Sequence, residues 1–223
     1  LSKAKELGFK TVGCASTGNL ANSVSAQAAS AGLESFIFIP SDLEESKIMG
    51  TSIYGSNVVA VKGNYDEVNR LCTEVLGKHN WGFVNINLRT YYSEGSKTVG
   101  YEIIEQLGWR VPKHIVVCMA SGSLLTKIYK SIKEFENLGF VEPDGTKIYG
   151  AQATGCSPIS TAVKNSWETF KPVKPTTIAK SLAIGNPADG LNAISLLNSI
   201  DSYAEDATDQ EIVEAMILLA KTQ

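Results

Sequence analysis

The sequence predicts an α/β fold: two mostly parallel sheets with flanking helices. Three observations carry this prediction. Strand-like and helix-like patterns alternate along nearly all of the 223 residues. Several strand patterns are short apolar runs without polar alternation, such as HIVVCMA at 114–120. Runs of that kind belong to strands covered on both faces of a parallel sheet. Helical patterns close on glycine, as at Gly108 and Gly139, the residue that best tolerates a left-handed cap.

The elements follow in order. KTVGCAS (10–16) reads as a buried strand, and the helix of NLANSVSAQAASAGL (19–33) comes after it. ESFIFIP (34–40) is a second strand, ended by Pro40, with Ser41 and Asp42 offering N-caps for a helix running to about Tyr54. NVVAVKG (57–63) is a third strand. The helix of 64–80 repeats Val68, Leu71, Cys72, Val75 and Leu76 at spacings of three and four. GFVNIN (82–87) is a fourth strand, and NLRTYYSEGSKT (87–98) reads as a polar connection between two sheets. A domain boundary is therefore placed near 95, giving domains of 1–95 and 96–223. Helix 97–108, strand 114–120, helix 122–139, strand 147–153, helix 157–165 with Pro158 in its first turn, and helix 190–200 continue the alternation. A final helix covers EIVEAMILLAKTQ. The chain opens on Leu1 already in a helical pattern and closes in another, which reads as a piece of a longer protein.

Bulk properties exclude several classes. The residues are 43% hydrophobic and 19% charged with a net charge of -3, and acids and bases are interspersed. Nucleic-acid partners and a polybasic membrane anchor are not expected. No apolar run nears the roughly 18 residues that span a bilayer, and no signal peptide is recognisable. Cys14, Cys72, Cys118 and Cys156 are widely separated and read as buried, reduced thiols of a cytoplasmic protein. With only His79 and His114 present, no metal site is expected.

In sheets of this kind, ligands gather at the carboxyl ends of the strands. Two strand ends carry unusual turns. The first is STGN: Ser16, Thr17, Gly18 and Asn19 at the mouth of a helix. Helix-start N–H groups and the helix dipole favour a carboxylate or phosphate there, and Gly18 permits close approach. An ordinary capping turn explains the same composition equally well. The second is MASGSLLTK (119–127), whose small residues Ala120, Ser121, Gly122 and Ser123 let backbone amides wrap a phosphate. Again a plain capped turn is the alternative. A nucleotide is disfavoured, because neither turn carries a P-loop or a GxGxxG fingerprint. A third segment sets Arg89, Tyr91 and Tyr92 beside EGSKT, with Lys97 as a second cation. It suits an anionic substrate or is simply a solvated loop.

CASTGN, LRTYYSEGSKT, MASGSLLTK, GAQATGCSPI and AIGNPADG together resemble the threonine synthase branch of the fold-type II (tryptophan synthase β-like) pyridoxal-phosphate enzymes, over nearly the whole chain. STGN alone is shared with threonine deaminases and cysteine synthases. The resemblance implies pyridoxal 5'-phosphate as cofactor and O-phospho-L-homoserine as substrate, converted with water to L-threonine and phosphate by β,γ-elimination and replacement. It places Asn19 at the cofactor's 3'-oxygen, and Ser16, Thr17 and Gly18 at the substrate's α-carboxylate. Ala120, Ser121, Gly122, Ser123 and Leu124 would form the cup for the cofactor's phosphate, with Thr126 nearby. Arg89, Ser93 and Lys97 are the candidates for the substrate's phosphate. The family's catalytic lysine lies in a Ser-Phe-Lys-Asp motif that does not occur here, so it is expected before Leu1. Lys3 and Lys5 read as solvated lysines of a helix. Closure of residues 10–90 over the larger domain is expected to keep stray water out. A homodimer is compatible with the resemblance. The rival readings are a threonine or serine deaminase of the same fold, a non-catalytic binding fragment for a phosphorylated or carboxylated ligand, and a Rossmann-type nucleotide binder, which is disfavoured.

Overall fold

A computed structural model describes residues 1–16, 18–41, 45–63 and 65–222. Thr17 of the first turn and the Asp42 cap lie outside the described residues. The chain divides into two compact units, Leu1–Tyr92 and Ser93–Gln223.

The first unit holds α1 (Ser2–Glu6), β1 (Thr11–Ala15), α2 (Asn19–Ala31), β2 (Glu34–Pro40), α3 (Glu45–Ser52), β3 (Asn57–Val61), α4 (Tyr65–Leu76), β4 (Gly82–Phe83) and the start of α5 (Arg89–Gly95). Its sheet has the order β3-β2-β1-β4, and every pairing is parallel. All five residues of the central β1 are buried. The two-residue period of β2 sorts its side chains: Ile37 and Ile39 enter one core with Val12, Cys14, Val24 and Ala28, while Phe36 and Phe38 enter another with Val68, Cys72 and Phe83. Helix α2 buries small residues, Ala21, Ser25 and Ala28, along with Val24, so it can sit close to the sheet. It ends at Gly32, which takes the left-handed φ of 67°.

The structure corrects the sequence reading in this unit. The strand read at 82–87 is only Gly82–Phe83. The Asn85 side chain takes the next ladder groups of β1: its Oδ1 accepts from Ala15 N at 3.4 Å and its Nδ2 donates to Ala15 O at 3.3 Å, side-chain bonds that compete with strand pairing. The stretch read as a polar connection, 87–98, is largely helical, as α5 and the start of α6. Ser41 extends the sheet by donating its N–H to Val61 O at 2.8 Å. The helix read to 80 stops at Leu76, next to Gly77.

The second unit holds α6 (Lys97–Gln106), β5 (His114–Cys118), α7 (Ser123–Asn137), β6 (Lys147–Ala153), α8 (Pro158–Lys164), a 3-10 turn (Lys180–Leu182), α9 (Gly190–Ser199), β7 (Ala204–Ala207) and α10 (Asp209–Thr222). The sheet order is β5-β6-β7, all parallel. Its core gathers Ile104, Met119, Leu125, Ile128, Ile132, Ile148, Ile159, Ile194 and Leu197 from helices and strands alike. Helices α6 and α7 approach closely at Gly100, where an added Cβ would sit 1.8 Å from Ser131 Oγ.

Three corrections apply here. HIVVCMA does not form a strand covered on both faces. Strand β5 is at the edge of the described sheet, only Val117 of its five residues is fully buried, and Val116 is 71% exposed. Cys118, read as a buried thiol, is exposed. The reading also passed over β7, whose AEDA sequence has neither alternation nor β-branched residues. Helix α10 leaves Val213, Met216, Ile217, Leu218 and Leu219 exposed. Among the described residues no helix is long and apolar enough to cross a membrane.

Candidate functional site

Each unit brings one glycine-bearing turn to the carboxyl end of a sheet strand. In the first unit, β1 delivers the chain at Ala15, where Asn85 grips the backbone from both sides: Asn85 Oδ1 accepts from Ala15 N at 3.4 Å, and Asn85 Nδ2 donates to Ala15 O at 3.3 Å. Ser16 follows, its N–H donated to Phe38 O at 3.3 Å. Gly18 caps α2 with extended backbone, and no side chain caps the helix. Gly18 N donates to Ser16 Oγ at 3.4 Å, and a Cβ added at Gly18 would meet open space. Asn19 is exposed, and its amide has no side-chain hydrogen bond among the described residues. Among the described residues, neither Ser16 nor Asn19 caps α2 with its side chain, and the Asn19 amide stands at the helix mouth without a hydrogen-bond partner.

In the second unit, the turn after β5 is held at successive carbonyls. Met119 N donates to Ala151 O at 2.8 Å, continuing the ladder. Met119 O accepts from Gln152 Nε2 at 3.4 Å. Ser121 O accepts from Asp189 N at 3.0 Å, and Gly122 O accepts from Thr126 N at 3.3 Å. Gly122 has a φ of 87°, and an added Cβ would lie 3.0 Å from both Asp189 O and Ala193 Cβ. Both the dihedral and the space call for glycine. Helix α7 has no side-chain cap. Ser123 N makes a long 3.4 Å bond to Ser121 Oγ. Among the described residues, the N–H groups of Ala120, Ser121, Gly122, Leu124 and Leu125 have no hydrogen-bond partner. They lie beside a hollow of about 280 Å³ lined by Cys118, Met119, Ser121, Gly122, Leu124 and Leu182, with no charged side chain in its wall. Unpaired amides at the start of a 15-residue helix are chemically suited to an anion. The Thr126 hydroxyl is already donated to Ser123 O at 2.8 Å.

Helices α5, α6 and α7 meet in a charged cluster beside this turn. Ser93 Oγ lies 3.0 Å from Ser123 Oγ. Next to it, the Glu94 carboxylate takes Lys127 at 2.5 Å, and Lys97 and Lys130 each at 2.9 Å. The hydrogen bonds from Lys127, Lys130 and Lys97 pull the Glu94 pKa down to about 2. Lys97 also meets Glu134 at 2.9 Å, and that pair, with Glu94, holds its ammonium charged. Glu134 in turn accepts from the Tyr101 hydroxyl. A second cleft of about 530 Å³ is lined by Ser93, Thr126, Lys127, Lys130, Asp189 and Asn192 among others.

The structure thus gathers Ala120, Ser121, Gly122, Ser123 and Leu124 into one turn, sets Ser93 against it, and leaves Thr126 facing the backbone. Lys97 sits in an ion-pair network, with its side chain only 17% exposed. Sequence reasoning missed Asn85, Gln152, Glu94 and Asp189. The one signal for Gln152 was a lone amide within the apolar strand KIYGAQA. It is buried, and its Oε1 accepts from both Ile159 N and Ser160 N at 2.9 Å, capping α8 from a distance. Lys3 is paired with Glu6 at 2.5 Å, and Lys5 donates to Ala31 O at 2.8 Å. Among the described residues no group of three His, Cys, Asp or Glu is placed to hold a metal.

Comparison with known proteins gives this geometry a family. The chain is 36% identical over its full length to the threonine synthase of Methanocaldococcus jannaschii, and 33% to that of Methanosarcina acetivorans. It covers 55% of each, so it spans about half the length of these curated relatives. Among solved structures, maize serine racemase matches with a TM-score of 0.76 at 20% identity, over 96% of this chain and 61% of that one. The processed form of threonine deaminase isoform 2 from Solanum lycopersicum matches with a TM-score of 0.75 at 20% identity, over 92% of this chain and 53% of that one. At such identities these two speak for the fold alone. The family model described as "Pyridoxal-phosphate dependent enzyme" matches residues 1–223. The chain belongs to the pyridoxal-phosphate-dependent enzyme family.

Proposed function

We propose that the whole protein containing these residues is a threonine synthase of the cytoplasm, which converts O-phospho-L-homoserine and water to L-threonine and phosphate. The observation that carries this reading is the end-to-end likeness, at 36% and 33% identity, to relatives named threonine synthase. The residues present fit the family's cofactor. Five unpartnered N–H groups around an uncharged hollow match a phosphate dianion, which needs many donors and no neighbouring carboxylate.

When bound, pyridoxal phosphate supplies the electron sink that lets a proton leave the substrate's α-carbon. The chain's own residues do the holding. The N–H groups of Ala120, Ser121, Gly122 and Leu124 take the cofactor's phosphate, and the Ser123 hydroxyl, steadied by Ser93, closes the ring of donors. The free Asn19 amide donates to the cofactor's 3'-oxygen. Ser16, Thr17 and Gly18 hold the substrate's α-carboxylate. Arg89 and Ser93, four apart on α5, take the substrate's phosphate. Lys97 joins them by exchanging a carboxylate partner for the ligand. Lys3 and Lys5 have no part in this assignment.

The test is a pair of assays on the purified whole protein. Threonine synthase activity releases phosphate from O-phospho-L-homoserine and forms L-threonine in equal amount. If the protein instead releases ammonia from L-threonine and leaves O-phospho-L-homoserine untouched, it is a deaminase and the proposal is wrong.

A further inference from the structure

The motif GAQATG contains one residue to which the proposed function gives no task. Gln152 lies on β6, is 3% exposed, and uses both ends of its amide. Its oxygen caps the first turn of α8, through Ile159 N and Ser160 N. Its nitrogen reaches across to Met119 O at 3.4 Å, on the strand that feeds the anion receptor.

That second contact has a geometric result. A peptide unit is planar and trans, so its C=O and the following N–H point in opposite directions. Holding Met119 O toward Gln152 aims Ala120 N–H the other way, and that N–H is one of the five without a partner. Two residues on, Asp189 N does the same by holding Ser121 O at 3.0 Å, which aims Gly122 N–H. The two bonds fix alternate peptide planes of one turn, so its donors are oriented before a ligand arrives.

We propose that Gln152 is a positioning residue for the phosphate receptor: by holding Met119 C=O it aims Ala120 N–H at the ligand's phosphate, while its oxygen anchors the receptor's strand to α8. The proposal rests on the reading that residues 120–124 hold the cofactor's phosphate. It goes beyond that reading by naming a residue outside the turn that sets the turn's geometry.

The experiment compares binding of pyridoxal 5'-phosphate with binding of pyridoxal, which lacks the phosphate, by fluorescence titration of the whole protein. The ratio of the two dissociation constants isolates the phosphate's share. Gln152→Glu keeps the acceptor for Ile159 N and Ser160 N but removes the donor to Met119 O. Gln152→Met removes both and keeps the length of the side chain. Ser123→Ala, Gln152→Glu and Gln152→Met are each measured alongside a melting curve. A structural role alone would lower the melting temperature of Gln152→Met and leave the ratio as it is. The expected result is a loss of about tenfold in the ratio for both Gln152 variants, the scale of one buried hydrogen bond. If the wild-type protein shows a strong phosphate preference that Ser123→Ala weakens, while both folded Gln152 variants keep it, the inference about Gln152 is overturned and the receptor stands. If the wild-type protein shows no phosphate preference, the reading of the receptor itself fails, and the inference with it.

Discussion

Replacing Gly122 with alanine tests the receptor most directly. The position requires a φ of 87°, which for a residue with a Cβ costs about 1–2 kcal/mol. The new Cβ would also lie 3.0 Å from Asp189 O and 3.0 Å from Ala193 Cβ. The first of these is backbone and cannot rotate away. Overpacking of this kind costs roughly 1–3 kcal/mol. Gly139, after α7, provides the internal control. Its φ is 74°, and nothing lies within 4 Å of an added Cβ. Gly139→Ala should therefore carry only the dihedral cost, about 1 kcal/mol, and leave the ligand turn alone. Gly122→Ala should lose about 1–3 kcal/mol more. Part of that loss will appear as weaker phosphate binding, because separating residues 121 and 189 breaks the bond from Asp189 N to Ser121 O and turns Gly122 N–H. Denaturant unfolding of the whole protein measures the stability difference. Titration with pyridoxal phosphate and with pyridoxal measures the ligand effect, expected at tenfold or more for the phosphate form and near unity for the other. If Gly122→Ala matches Gly139→Ala in both measurements, the close packing of the turn has no functional weight and the reasoning is refuted.

Two further predictions follow from titrating groups. Glu94 has its pKa lowered from 4.5 to about 2 by Lys127, Lys130 and Lys97, so its contribution to stability is complete above about pH 4.5 and is lost as pH falls toward 2. Glu94→Gln should cost roughly 1–2 kcal/mol at neutral pH, after allowing for solvent screening, and flatten this part of the stability-against-pH curve; an unchanged acid slope would refute the assignment. Burial pushes the thiols of Cys14 and Cys72 up to about 12, so at pH 8 the reactive thiolate is scarce, on the order of one part in ten thousand. Mass mapping after treatment with a thiol reagent should find both unmodified until denaturant is added, and modification under native conditions would contradict their burial.

Much of the fold was legible because the period of the side chains reports the layer that they face. KIYGAQA gives β6 at its observed limits of Lys147–Ala153, since an apolar run in a central strand has no competing explanation. The helices α2 and α7 were readable from their small-residue and 3.6-period patterns, and from the glycines that end them. Reading failed where side chains compete with backbone pairing, as at Asn85, whose amide takes the Ala15 N–H and C=O beyond β4. It failed where a strand has no apolar signature, as in AEDA of β7. It also misjudged HIVVCMA, because apolar composition records what a strand can face and not what covers it. The two turns were legible as places where small and polar residues meet helix starts. Their supports were not. Asn85 and Gln152 act from 70 and 33 residues away along the chain, a distance at which a lone amide leaves no local pattern.

The exposed rim of the second sheet has a practical consequence. Strand β5 offers an unpaired edge among the described residues, with Val116 open beside it, and α10 shows five large apolar side chains to solvent. Natural proteins shield such edges with charge, proline or a covering element. Residues 1–223 produced alone would therefore be poor material for biophysics, prone to stack edge to edge as concentration rises. The same weakness offers a route to improvement: a lysine in place of Val116 puts a charge where the strand would otherwise recruit a neighbour, outside the turn that holds the phosphate in the proposed enzyme.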